Sequence, residues 1–162
     1  MNEALIERWN SRVTTEDTVY FLGDFAMGPG VDTKFVLNVL DRLNGNIIMI
    51  RGNHDMPSKY GPGLMHMLED AVLISHAHVV VLENEIFKLK YEGRDFVMGH
   101  FPMDNWEGKM NGAVHLHGHT HNEYGKTVVE PLYSWDIGVD MYGGPVQITG
   151  DLRYLNDPRG WA

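Results

Sequence analysis

The stretch TVYFLGDFAMGPGVDTKFVLNVLDRLNGNIIMIRGNHD, residues 18–55, carries the reading of the fold. It opens on Thr18 to Leu22, a compact apolar and β-rich run of the kind that becomes a buried strand, and that run ends in Gly23-Asp24. Asp32 can cap a helix reaching to about Leu43, with Val36, Val39, Leu40 and Leu43 as its apolar stripe and Asn44-Gly45 as its stop. Ile47 to Ile50 is a second short strand, closed by Arg51-Gly52-Asn53-His54-Asp55. Strand, helix, strand with polar residues after each strand is the pattern of a parallel crossover. A carboxylate just past a buried strand and a glycine is held rigidly at the sheet edge, where open α/β sheets place their chemistry.

Outward from this unit, residues 2–11 read as a short helix with Leu5, Ile6 and Trp9 on one face and Asn2 as N-cap. Downstream, a short helix is expected over 64–69. The character then turns to β: 78–82, 86–91 and 95–98 read as a meander with turns at Glu83-Asn84 and Glu92-Gly93. The last of these runs ends in Gly99-His100-Phe101-Pro102. Ala113 to Leu116 leads into His117-Gly118-His119-Thr120-His121, and 134–139 and 146–149 read as further strands. Residues 122–131 read as a loop. With no repeat, linker or low-complexity segment, residues 1–162 read as one domain, helical crossovers first and β meander second.

A length of 162 residues suits one domain with a real core and is too short for two ordinary ones. The absence of cysteine excludes disulfides and thiolate metal sites, so a metal must be held by nitrogen and oxygen. It also makes a reducing cytoplasm the expected location. No apolar run approaches a membrane span, and the start lacks a signal-peptide core. A net charge of −9 argues against a basic nucleic-acid-binding surface. Carboxylates that a divalent ion would neutralise are included in that sum, so an anionic substrate at a metal site remains compatible with it.

Nine histidines are present, and three of them stand at every second position from 117 to 121. Residues two apart in an extended or turning backbone point the same way, so these imidazoles can converge on one ion, with Gly118 allowing a tight turn between them. Four apolar runs each close in a glycine followed by donors: Asp24, then Asn53-His54-Asp55, then His100, then His119-Thr120-His121. Each alone is weak. Together they supply carboxylates, an amide and imidazoles at strand ends, which is a metal-binding set.

This set resembles the calcineurin-like metallophosphoesterase family, through GDF at 23–25, GNHD at 52–55, GH at 99–100 and GHTH at 118–121, in the family's order. The resemblance implies an α/β fold, a β-sandwich of mixed sheets flanked by helices in four layers. It also implies two divalent ions of the Mn, Fe, Zn, Ni or Mg class at the strand ends. By the same resemblance Asp24 would bridge the ions; Asn53, His100 and His119 would complete one, and His121 would reach the other. His54 would face the leaving group with Asp55 behind it, orienting it to protonate the leaving oxygen or steady its charge. The implied reaction is hydrolysis of a small or nucleotide-type phosphomonoester or phosphodiester by a metal-bound hydroxide.

The family normally opens with a strand ending in Asp-x-His, and no Asp-x-His occurs in this chain. The reading is therefore of a domain lacking its first strand, with one complete ion site and one weak site left with Asp24 and His121. An exposed strand edge would then favour a homo-oligomer. The alternative function is an inactive metal-binding fragment or binding module with one intact ion; a third reading is a mononuclear enzyme. Arg51 is a weak candidate for touching phosphate. His115 and His117 are expected beside the site rather than on the ion, and His76, His78 and His66 with Met65 and Met67 outside it. Trp106, Tyr124 and Trp135 read as buried aromatics before they read as a cleft lining.

Overall fold

Helix α1, Asn2–Arg12, turns Ile6 and Trp9 into the core and sets the floor of the first half of the chain. The computed structural model describes residues 2–27, 32–55, 78–82, 84–121 and 133–148. The chain divides into two units, residues 1–85 and 86–162.

In the first unit, strand β1 (Thr18–Phe21) and strand β2 (Asn46–Met49) pair in parallel, Thr18 opposite Asn46 through Phe21 opposite Met49. Helix α2, Thr33–Leu40, makes the crossover between them. The carboxylate of Asp32 caps it by accepting the Phe35 N–H at 2.8 Å, as the sequence indicates. The regular helix stops at Leu40, short of Leu43, because the next amides reach back only three residues, Arg42 N–H to Val39 and Leu43 N–H to Leu40. Leu43 is still buried by that tightened turn.

Strand β3, Val79–Val81, lies parallel to β2 with Val79 opposite Ile47, so the sheet order is β1-β2-β3. This corrects the expected meander, in which 78–82 would pair with the strands that follow it. Three consecutive valines suit a parallel strand, and Val79 fills the same core as Ile47 and Met49 while Val80 stays half exposed. The core is closed by Val36 and Leu40 of α2 and by Ile6 and Trp9 of α1, and Trp9 donates its indole N–H to the Asn44 carbonyl at 2.9 Å.

The ends of β1 and β2 are locked to each other. A side chain on Gly23, which has φ +92°, would put its Cβ 2.3 Å from the Gly52 amide nitrogen. One on Gly52 would meet Asp24 Oδ1 at 2.2 Å. Two main chains can approach this closely only where both residues lack Cβ. Asp55, 1% exposed, closes the junction: its carboxylate accepts the amides of Asp24 at 2.7 Å, Gly52 at 2.8 Å and Phe25 at 3.2 Å. Burial pushes its carboxyl up from the ordinary value, while the three amides and the nearby Asp24 charge act on it more weakly, the amides downward.

In the second unit, β4 (Ile86–Tyr91) and β5 (Arg94–Gly99) form the expected antiparallel hairpin. Its two turn residues, Glu92 and Gly93, have φ of 48° and 80°, the pair of positive values that a type I′ turn requires. Beyond the hairpin the expected meander gives way to a mixed sheet. Strand β6 (Val114–His117) runs parallel to β5, and β7 (Ser134–Asp136) runs parallel to β6, in the order β4-β5-β6-β7. A 3-10 turn at Lys109–Asn111 lies in the β5–β6 connection, between Gly108 and Gly112, both left-handed. The strand expected over 134–139 stops at Asp136, and Val139–Tyr142 forms a short helix, α3. Residues 146–148 are not a strand. Residue 149, the helix expected over 64–69 and the loop 122–131 lie outside the described residues.

The chain is thus α/β, two sheets with a few helices. Among the described residues no helix is long and apolar enough to cross a membrane.

Leu40 is fully buried against both helices and the sheet, so Leu40→Ala is expected to cost about 2–5 kcal/mol in urea unfolding. Asp55→Asn replaces an acceptor oxygen by an NH2 group facing main-chain amides and is expected to cost about 1–3 kcal/mol. An unfolding midpoint unchanged in either variant would contradict these contacts.

Candidate metal centre

The donors offered by the first unit sit on the two locked loops. Asp24 follows Gly23 with its own φ at +57°, a conformation that an aspartate tolerates better than most residues but that still needs support. The Asp55 carboxylate supplies that support through the Asp24 amide, and Asp24 Oδ1 in turn accepts the His54 N–H at 2.7 Å. Asn53 and His54 are exposed, on the turn between Gly52 and Asp55. The carboxylate of Asp55 is thus directed at main-chain amides rather than at the His54 ring. Arg51 is half-buried, and its Nε meets no hydrogen-bond partner among the described residues.

In the second unit the neighbouring strands β5 and β6 end side by side. His100 follows β5 and is 3% exposed, and its carbonyl accepts the Gly118 amide at 3.1 Å, which ties the two strand ends. His100 Nε2 then faces His119 Nδ1 at 3.2 Å. Two imidazole nitrogens at this separation either share a proton or share a cation. Bonds of about 2.1 Å from one ion to two nitrogens leave those nitrogens about 3 Å apart at octahedral and about 3.4 Å apart at tetrahedral angles, a range that includes this separation. Phe101, half exposed, sets its ring edge-on to both imidazoles, at 4.9 and 4.6 Å between centroids.

The turn that carries the last histidines is made differently from expectation. Gly118 keeps an ordinary φ; the left-handed residues are His119 at +67° and His121 at +47°. Both side chains are swung outward by this backbone, and both are exposed. Thr120 between them donates its amide to the Gly118 carbonyl at 2.8 Å and its hydroxyl to Asp136 Oδ2 at 2.5 Å. His121 Nδ1 lies 2.5 Å from Asp140 Oδ2.

His115 and His117 lie within β6 and are fully buried. His115 Nδ1 pairs with the Val97 carbonyl at 2.9 Å, and its Nε2 accepts the Met103 amide at 3.2 Å. One nitrogen must donate and the other accept, which fixes a neutral ring with the proton on Nδ1. The ring of His115 lies between those of Trp106 and His117, at 5.2 and 5.3 Å. His117 Nδ1 pairs with the Gly118 carbonyl at 3.0 Å, a contact inside the same turn. Trp106 is buried and donates to the Ala113 carbonyl at 2.8 Å, and Trp135 is half-buried. His66, His76, Met65, Met67 and Tyr124 lie outside the described residues.

Of the sequence-predicted donors, Asp24, Asn53, His54 and Asp55 lie on the paired loops of the first unit; in the second, His100 and His119 face each other, while His121 on the same turn faces Asp140. Asp136 and Asp140 escaped the sequence reading. Asp136 was read as the middle of a strand; a carboxylate in an otherwise apolar β run was the available signal, since aspartate is depleted from strands.

The comparisons with known proteins bear on the family and the fold. The model of the calcineurin-like phosphoesterase superfamily domain matches residues 1–133. An uncharacterized protein of Methanocaldococcus jannaschii is 33% identical over 122 residues, which are 75% of this chain and 53% of that one. The chain therefore spans about half the length of that relative. The Gene 66 proteins of Mycobacterium phages D29 and L5 are 25% and 28% identical, over 94% and 96% of this chain and 82% and 83% of theirs. The crystal structure of a protein of unknown function from Aquifex aeolicus covers 88% of this chain with 77% of its own, at a TM-score of 0.58 and 16% identity, a likeness of fold. With the matched span holding all four glycine-and-donor strand ends, the chain belongs to the calcineurin-like phosphoesterase superfamily.

Proposed function

We propose that this protein hydrolyses a phosphomonoester or phosphodiester with divalent metal ions, and that His100 and His119 are the heart of the ion site. The observation that carries the reading is their two ring nitrogens, 3.2 Å apart at adjacent strand ends in a member of this superfamily. By the family resemblance Asp24 and Asn53 would complete the donor set of one ion, and Asp24 and His121 would serve a second. A carboxylate can bridge two cations, while an amide oxygen and imidazoles add ligands without cancelling their charge. Divalent ions supply two things to a phosphoester: neutralisation of its anionic oxygens and a water acidified toward neutral pH.

The remaining work falls to the chain's own residues. His54, whose ring is exposed and whose amide is anchored to the Asp24 carboxylate, would give a proton to the leaving oxygen or steady its charge. Asp55 keeps that loop in register by holding its main chain. Four donors against two make the first ion tight and the second weak, so about one ion per chain should survive dialysis, with Mn2+ the first metal to try. The preferred substrates are small or nucleotide-type phosphoesters, because an acidic chain offers no basic track for a long polyanion.

Mn2+-dependent turnover of a chromogenic phosphodiester, abolished by chelator and restored by added metal, is the expected result. His54→Ala should lower kcat by about 10²–10⁴ with metal content intact, and His119→Ala should lose the ion itself. A wild-type protein that retains Mn2+ but turns over neither monoester nor diester would instead identify a metal-binding module. Turnover unchanged in His54→Ala would reject the role given to that residue.

A further inference from the structure

The loop bearing His119 and His121 is braced from outside the matched span. Two non-glycine residues in left-handed conformation, separated only by Thr120, are together a strained turn, each costing about 1–3 kcal/mol. Such a turn persists only where its surroundings over-determine it. Two carboxylates do so here, and both lie beyond residue 133, where the family match ends. Asp136, at the end of β7 and 6% exposed, accepts the Thr120 hydroxyl at 2.5 Å and the Gly138 amide at 2.8 Å. Asp140, in α3, meets His121 Nδ1 at 2.5 Å. The chain between them is short and fixed at both ends: the Ile137 amide donates to the His117 carbonyl at 2.8 Å, and the Met141 amide to the Gly138 carbonyl at 3.0 Å.

We infer that Asp136 and Asp140 are positioning residues for the metal loop, setting the turn and the His121 tautomer before an ion arrives. The chemistry is specific. A carboxylate is an acceptor, so the Asp140 contact requires the proton of a neutral His121 to be on Nδ1, which leaves the Nε2 lone pair for a cation. The same contact fixes the orientation of the ring, a usual effect of a carboxylate behind a metal-binding histidine. Asp136 acts one residue away, holding Thr120 between the two histidines, with His119 turned to His100 past β5 and His121 to Asp140 past β7. Neither residue touches substrate.

This inference rests on the metal reading above, and its test separates the two. In metal-free protein at a pH above the ordinary imidazole range, 15N NMR reads which His121 nitrogen is protonated. Wild type should show the proton on Nδ1, and Asp140→Ala should lose that preference, with Asp140→Asn, which keeps an acceptor oxygen, retaining much of it. In Mn2+ titrations Asp140→Ala and Thr120→Val should each bind the second, His121-dependent ion about 10- to 100-fold more weakly, whereas Thr120→Ser, which keeps the hydroxyl, should stay within about twofold of wild type. Thermal unfolding of each variant controls for loss of fold, and Thr120→Val stands in for Asp136 should Asp136→Asn fail to fold. A His121 tautomer indifferent to Asp140→Ala, or affinity for that second Mn2+ within about twofold of wild type in Asp140→Ala and Thr120→Val, would overturn the positioning role while leaving the hydrolase reading in place. A wild-type protein that takes up no divalent ion would overturn the hydrolase reading, and the positioning role with it.

Discussion

The contact between Gly23 and Gly52 is the constraint on which the loops carrying Asp24 and Asn53 depend. Neither position has room for a single carbon more: a Cβ on one would lie 2.3 Å from the other's amide nitrogen, and on the second 2.2 Å from Asp24 Oδ1. Main chain packed on main chain leaves amides with no partner unless something accepts them. The Asp55 carboxylate is that acceptor, taking three amides from two loops that are 30 residues apart in sequence. Gly-Asp and Gly-Asn-His-Asp are therefore one structural object. The glycines allow the approach, Asp55 makes it affordable, and Asp24 is left in a fixed, left-handed conformation with Oδ1 already holding the next loop.

The second unit solves the same problem with a strand in place of a junction. Along β6 all four residues are buried, so its histidines cannot all be functional donors. His115 is used up as a neutral core residue between a carbonyl and an amide, against the Trp106 ring. His117 belongs to the turn that it opens. Only past the strand, where the backbone goes left-handed at His119 and again at His121, do imidazoles come out into solvent. Spacing alone makes 117, 119 and 121 equivalent; burial divides them into one inside the strand and two exposed beyond it.

Much of this was legible before any coordinates. The β1-α2-β2 crossover follows from two apolar runs, one capping aspartate and one Asn-Gly stop, each of which acts locally. The glycine-and-donor strand ends were legible for the same reason. What was hidden depends on partners distant in sequence. Val79–Val81 fits a strand in either sheet, and only its pairing with Ile47 to Met49 decides between them. The parallel returns of β6 and β7 are invisible to periodicity, because a meander and a mixed sheet present the same alternation. The turn at 118–121 was assigned to its glycine on propensity, and tertiary bonds from Asp136 and Asp140 instead move the left-handed geometry onto the histidines.

The acidity of the chain takes on a different meaning in this light. A net charge of −9 first reads as a surface property that repels polyanions. Yet Asp55 and Asp136 are buried, and each uses its carboxylate to gather donors that strained backbone leaves unsatisfied: three amides in one case, a hydroxyl and an amide in the other. Burying a carboxylate is costly unless it is richly hydrogen-bonded. The cost is met where it is useful, one or two bonds away from Asp24, His119 and His121, because a buried charge with fixed donors tolerates far less displacement than an apolar contact. Asp24 has Asp55 behind it and the His119–His121 turn has Asp136, so in both units a buried, fully hydrogen-bonded carboxylate stands behind the candidate donors, half-buried Asp24 in one and exposed His119 and His121 in the other.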